Sequence, residues 1–198
     1  MRYKRSHKAD ARARLLKVAT RLIRKCGPEK MSVDQLMRKA GRTHGGFYAH
    51  FKSRDAMVAE ALSVIFNQVE QAYHQVCDEL SPREALRTYI RLYLSPEHRD
   101  GNVPSCPVVA FSGDLVRQSQ QFRVAYKVGL ESLLTIIAGW IAAAGIDDAR
   151  VMAASLLSTM AGSILVSRAV KDSHLSDEIL EATRQLCLAR LSLAPQRP

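Results

Sequence analysis

The sequence predicts an all-α protein: a small N-terminal three-helix unit followed by a larger helical domain. Three observations carry this reading. Apolar residues recur at three- and four-residue spacing along almost the whole chain. Ser caps, Pro at first turns and Gly stops cut that pattern into pieces of helical length. No strand-like alternation, internal repeat or low-complexity stretch interrupts it. At 198 residues the chain can hold one ordinary domain, or a small domain joined to a larger one.

From Lys8 to Cys26, the residues Leu15, Ala19, Leu22 and Cys26 mark one apolar face, with Leu16 and Ile23 beside it. Gly27-Pro28 ends that helix. A second helix begins at Ser32, where Ser32 and Gln35 make a capping box. Val33, Leu36, Met37 and Ala40 form its inward face, and Gly41 closes it. Thr43 is placed to cap a third, short helix running to about Phe51, anchored by Phe47 and Phe51 one turn apart. Ser53 then caps a long amphipathic helix from about Arg54 to Leu80. Ser81-Pro82-Arg83-Glu84 combines a Ser cap, Pro at the first turn and Glu three residues after the Ser, and starts a helix to about Leu94. Residues 95–105 are rich in turn formers and read as a loop. Further helices are expected near 107–117, 119–144, 148–170 and 177–193, separated at Gln118-Ser119, Gly145-Ile146-Asp147 and 171–176.

Charge divides the chain unevenly. Residues 1–54 carry 16 Lys/Arg and 3 Asp/Glu, a net +13, whereas the remaining 144 carry a net −3. An excess confined to one quarter of the chain is the electrostatic footprint expected for a polyanion, either nucleic acid or an anionic membrane surface. The uncharged stretches Ser132–Ile146 and Val151–Ser167 fall short of the roughly 20 residues a spanning helix needs, so buried helices are expected there and no membrane partner. The N-terminus is polar and basic, with no apolar segment behind it. Cys26, Cys77, Cys106 and Cys187 show neither CxxC pairing nor zinc-site spacing. A cytoplasmic protein with reduced thiols, and without metal or cofactor, is the expectation. No acid/base pair or phosphate loop argues for an enzyme. His7, His44, His50, His74, His98 and His174 are scattered, with no evident carboxylate partner in a motif.

Three helices, the second and third short and joined by a tight Gly turn, predict a helix-turn-helix over roughly 32–52. Gly45 and Gly46 fall where a helix would be built, at a cost of about 1 kcal/mol each relative to Ala. Breaking a local rule twice points to close backbone approach, or to a helix that merely frays at its start. With Phe47 and Phe51 inward, His44, Gly45, Tyr48 and Lys52 lie largely on the other side. His44 and the Gly45-Gly46 backbone are the candidate base readers. Ser32, Thr43, Tyr48 and Lys52 suit phosphates. Arg42 reaches either, and His50 is a phosphate contact or a capping residue.

The run from Val33 to Asp55, VDQLMRKAGRTHGGFYAHFKSRD, strongly resembles the TetR family of bacterial transcriptional repressors. Its Ala40-Gly41, hydroxyl residue, Tyr48, His50, Phe51 and Ser53 follow the family string; Arg54 stands where Lys is usual, and the Gly45-Gly46 pair is unusual. The resemblance is strong over residues 8–65. It implies a DNA-binding domain over 1–53, with Arg54 among its contacts, and a helical ligand-binding and dimerisation domain over 54–198. It further implies a homodimer on an inverted-repeat double-stranded operator, released by an unidentified small-molecule effector or by thiol modification.

The second domain carries residues compatible with both implied roles. The segment from Val151 to Val166 is uncharged and is expected to be buried on both sides. Its small-residue stripe, Ala154, Ser158, Ala161, Gly162 and Leu165, suits close helix packing, against either a second subunit or the monomer's own core. With Ile179, Leu180, Thr183, Leu186, Cys187 and Leu191 of the last helix it could form a four-helix interface. Tyr89, Tyr93, Phe111, Phe122, Tyr126 and Trp140 are candidate pocket aromatics, although any one of them alone reads first as ordinary core. Cys106 precedes Pro107 at an expected helix start, where the dipole can lower a thiol pKa; it is a candidate sensor, or a packing residue. A non-specific polyanion binder and a small helical enzyme are the rival classes.

Overall fold

The computed structural model describes residues 2–101, 106–170 and 173–193. Among them are nine α-helices, two short 3-10 helices and no strand. The helices are α1 (Arg2–Lys30), α2 (Val33–Lys39), α3 (Arg54–Cys77), α4 (Pro82–Tyr93), α5 (Pro96–Arg99), α6 (Pro107–Phe111), α7 (Gln120–Ala143), α8 (Ala149–Ala169) and α9 (Ser173–Arg190). The 3-10 segments are His44–Gly46 and Ser112–Arg117.

The caps form as their residue types dictate. Gly27 breaks α1 with φ 80° and ψ 162°. Ser32 and Gln35 make the reciprocal capping box of α2, and Ser81 and Glu84 make that of α4 behind Pro82. Gly41, at φ 65°, closes α2. The N–H of Gly41 donates to the Arg38 carbonyl (3.1 Å) and that of Arg42 to the Met37 carbonyl (2.9 Å), the paired bonds of a left-handed helix stop.

Three expectations need correction. The segment from Thr43 to Phe51 forms a single 3-10 turn, His44–Gly46, followed by turns. Thr43 sits at its start without a side-chain cap bond, because two consecutive glycines withdraw the propensity an α-helix would need. Residues 95–99 are not loop: Ser95 caps the short helix α5, accepting from the His98 N–H at 3.2 Å. The last helix starts at Ser173, ahead of the expected 177, and part of the expected break at 171–172 lies outside the described residues.

The chain forms two compact units. The first comprises 1–67 and 110–129, and the second 68–109 and 130–198. In the first, Leu15, Ala19, Ile23, Met31, Leu36, Phe47, Met57, Ala61 and Leu62 are fully buried, each large apolar side chain contributing about 1.5–3 kcal/mol. Arg12 of α1 clamps this unit: its guanidinium forms a bidentate pair with Glu60, donates to the His50 carbonyl (3.3 Å) and lies 5.0 Å over the Phe51 ring. Gly129 has an equally local reason. A Cβ there would fall 2.2 Å from the Phe66 ring, and Phe66 in turn meets Tyr126 edge-on at 5.7 Å.

In the second unit Leu86, Tyr89, Ile90, Ile137, Ile141, Leu157, Met160, Ile164 and Leu180 form one core. Helices α8 and α9 pack along each other, joined by Ser176 Oγ donating to the Ser167 carbonyl (2.9 Å). Arg87 donates to the Leu193 carbonyl (2.9 Å) and Arg184 to the Leu94 carbonyl (2.8 Å), tying α4 to α9 and its end. Helices α7 and α8 are long and apolar enough to cross a membrane, the uncharged stretches being parts of longer helices than their length implied. Part of their apolar surface fills this core, through Ile137 and Ile141 of α7 and Leu157, Met160 and Ile164 of α8. Helix α8 is not buried on both sides, however: Ala153, Leu157 and Ile164 face inward while Val151, Ser158, Leu165 and Val166 stay exposed.

Candidate functional site

Two places in the fold gather the chemistry the sequence singles out. The first is the surface around the His44–Gly46 turn. Phe47 is fully buried and packs on Phe51, ring centroids 5.4 Å apart, which pins the turn to the core. Arg42, Thr43, His44, Gly45, Tyr48 and Lys52 are all exposed, and Tyr48 presents 64% of its surface to solvent. His44 lies 3.7 Å from Asp34 and edge-on to Tyr48. No described residue requires a glycine here: a Cβ at Gly45 meets open space, and one at Gly46 reaches only ordinary contacts with Met37 and Thr43.

The remaining candidates divide. Ser32 is exposed, its hydroxyl oxygen accepting the Gln35 N–H (3.1 Å) and leaving the hydroxyl proton to donate outward. His50 is half-buried, with Nδ1 unpartnered. Burial, then Arg42, Lys8 and Arg12, hold its pKa below the usual imidazole value. Arg54 is engaged elsewhere. Its guanidinium donates to the carbonyls of Met31 (3.0 Å), Pro28 and Glu29, closing the chain behind the Gly27 break. Sequence alone carries no sign of this, because the bond partners precede Arg54 by more than twenty residues. His74 does have a carboxylate partner, Asp78 one turn on at 2.9 Å, in an exposed pair remote in sequence from this surface.

The second place is a cavity of about 310 Å³ in the second unit. Tyr73, Tyr89, Tyr93, Cys77, His98 and Cys106 line it, with Val69, Ala72, Val76 and Leu92 completing an apolar wall. Of the residues expected at a pocket, the structure brings Tyr89, Tyr93 and Cys106 to it. Trp140 stands behind the wall, its ring 5.7 Å from Tyr89 and 6.4 Å from Tyr73. Phe111, Phe122 and Tyr126 belong to the other unit. There Phe111 meets Phe122 at 6.1 Å, and the Tyr126 hydroxyl lies 2.8 Å from Ser112 Oγ. Aromatic character forecasts burial, not which core receives the ring. Tyr73 and His98 were missed, although both are amphipathic residues of the kind such walls use.

The cavity wall is electrically neutral apart from Glu97, which is exposed. Burial raises the pKa values of Tyr73, Tyr89 and Tyr93 and of both thiols. For Cys106 burial outweighs the helix-start bonds from Val108 and Val109, reversing the lowered pKa expected of it. His98 is held as the neutral Nδ1–H tautomer. Nδ1 donates to the Tyr93 carbonyl (2.6 Å) and Nε2 accepts the Cys106 backbone N–H (3.1 Å). The Tyr89 and Tyr93 hydroxyls are buried without a well-formed hydrogen bond, their polar neighbours being Tyr73 and Cys106.

A basic, glycine-bearing turn pinned on a helical core, with an aromatic-walled cavity in a second helical unit, is the arrangement of a helix-turn-helix regulator. Family comparison agrees: residues 15–61 match the bacterial regulatory proteins of the tetR family, and residues 82–182 match the C-terminal domain of LmrA/YxaF-like transcriptional regulators. The chain belongs to the TetR family, whose regulators bind operator DNA and dimerise. Among similar proteins is the HTH-type transcriptional regulator YxaF of Bacillus subtilis, 23% identical over 169 residues, covering 83% of this chain and 88% of the other. The HTH-type transcriptional repressor NemR of Escherichia coli is 25% identical over 134 residues, 65% of each chain. The crystal structure of reduced E. coli NemR superposes with a TM-score of 0.78 at 20% identity, covering 90% of this chain and 95% of that one.

Proposed function

We propose that the protein acts in the cytoplasm as a homodimeric repressor on an inverted-repeat operator, and that an uncharged aromatic effector in the cavity releases it. The observation that carries the effector is the cavity itself. It is an apolar, three-tyrosine space without a cation in its wall, inside the unit that matches a regulator's C-terminal domain. Such a wall leaves a carboxylate or phosphate ligand unpaired. His44, the Gly45-Gly46 backbone and Arg42 read or approach bases in this proposal, and Ser32, Thr43, Tyr48, His50 and Lys52 hold phosphates. The effector acts by binding the released state more tightly than the DNA-bound one.

The relatives support the repressor reading, since NemR carries that description by name. Covalent modification is a second trigger, favoured by one observation: Cys106 lines the same cavity, so a reagent that fits it meets the thiol. The raised thiol pKa makes this slower than at an activated cysteine.

Selection of duplexes from a randomised pool tests the core of the proposal. Inverted repeats with half-sites about one helical turn apart, or a multiple of that, are the expected outcome; sequences without dyad symmetry would overturn it. Screening neutral, anionic and cationic aromatics for release from the selected duplex then tests the effector class. If release by an electrophile persists unchanged in Cys106→Ser, the covalent route through Cys106 is dead.

A further inference from the structure

A trough runs along the first unit beside the recognition turn. Its walls are Arg14, Lys17 and Arg21 of α1 on one side and Lys39, Gly41 and Arg42 on the other, over a floor of Ala11, Leu15 and Val18. Spacing explains the first wall: positions 14, 17 and 21 share one face of a helix. The Gly41 turn explains the second, because it folds the end of α2 back beside that face. All five cations are exposed, and no acidic residue lines the trough. Among the described residues none of the five pairs with a carboxylate.

Two other arginines of the unit are used differently. Arg12 is paired with Glu60, and Arg54 is bound to three carbonyls. Five like charges lining one trough repel one another and gain nothing from the fold, so their arrangement answers to something outside the chain. Arg42 identifies the partner. It lines the trough and also the neighbouring hollow formed with Asp34, Met37, Arg38 and His44, so the trough continues the DNA-reading surface.

We infer that the Arg14–Lys17–Arg21–Lys39–Arg42 trough is a second phosphate-binding surface, which takes the DNA backbone outside the bases read by the His44–Gly46 turn. It adds affinity and salt dependence without sequence information. The operator footprint is therefore longer than the recognition turn alone would cover.

The test compares the wild type with Arg14→Gln/Lys17→Gln/Arg21→Gln on a random-sequence 30-base-pair duplex, by fluorescence anisotropy between 50 and 200 mM KCl. These residues are exposed and hold no other element, so an unchanged melting temperature is expected. The slope of log K against log salt should become shallower by roughly 0.9 for each phosphate that is no longer neutralised. Affinity at the low-salt end should fall about tenfold or more, the gap closing as salt rises. Arg91→Gln/Arg117→Gln/Arg150→Gln, which removes the same charge outside the trough, should keep the wild-type slope. An unchanged slope in the trough variant overturns the inference, and so does an equal change in the control. A wild type that binds no duplex overturns both this inference and the repressor reading.

Discussion

His98 shows how much one side chain can hold in place. Its ring bridges the Tyr93 carbonyl and the Cys106 N–H, and its carbonyl accepts from Arg168 of α8 (2.7 Å). Protonating Nε2 would set two N–H groups face to face and place a cation in an apolar wall beside Arg168. Burial accordingly holds the imidazole pKa below its ordinary value, with Arg168 adding to the shift against the Tyr93 bond. With the folded pKa depressed, the unfolded chain takes up the proton first. Stability is therefore complete above about pH 6.5 and is lost as pH falls from there through the folded pKa. His50, shifted in the same direction, adds to the trend. Thermal unfolding from pH 7.5 to 5 should show a falling melting temperature, shallower in His98→Asn. Each pH unit of the window is worth up to about 1.4 kcal/mol per such group. A flat profile in the wild type would remove His98 as the cause.

At the scale of the element, the recognition turn trades local stability for reach. Neither Gly45 nor Gly46 has a positive φ, and neither is required by packing. Gly45→Ala should therefore raise the stability of the unit by up to about 1 kcal/mol. The same change should weaken binding to the selected operator tenfold or more, because a methyl group would stand between backbone and base. Chemical denaturation and DNA titration of one sample read both effects; stabilisation with undiminished binding would show that the glycines serve no DNA contact. Such elements were legible in the sequence wherever a cap wrote them. Ser32–Gln35, Ser81–Glu84, Gly27 and Gly41 each act on their nearest neighbours, so three or four residues contain the whole cause. Helix α5 carried the same signal, Ser95 followed by Pro96, but the surrounding turn formers outweighed it. The 3-10 form of the recognition turn was harder to foresee, since the Phe47 and Phe51 anchors favour helix while the glycines oppose it.

At the scale of the whole molecule the sequence is least explicit, because what matters there joins distant residues. Nothing in positions 110–129 announces that they belong with the N-terminal unit. Phe111 and Phe122 therefore stand in a core that their aromatic character alone could not identify. The open faces of α8 and α9 are a different case. Val151, Leu165 and Val166 on α8, with Leu175 and Leu186 on α9, are largely exposed. An apolar surface of this kind on two adjacent helices is what a second copy would cover. Leu165→Glu/Leu186→Glu should leave the protomer folded, since both side chains already face solvent, and should shift sedimentation to that of a monomer. Operator affinity should fall by about two orders of magnitude, because each half-site would then be bound alone. A dimer that survives the double change places the interface elsewhere.

Trp140 has one more consequence. It is the chain's single tryptophan, and it stands against Tyr73 and Tyr89, two residues of the cavity wall. Any molecule that moves those rings or changes their polarity alters the surroundings of one indole, whose emission no other tryptophan dilutes. The protein thus carries an optical probe of its own interior, and occupancy of the cavity can be followed in the native chain without a label.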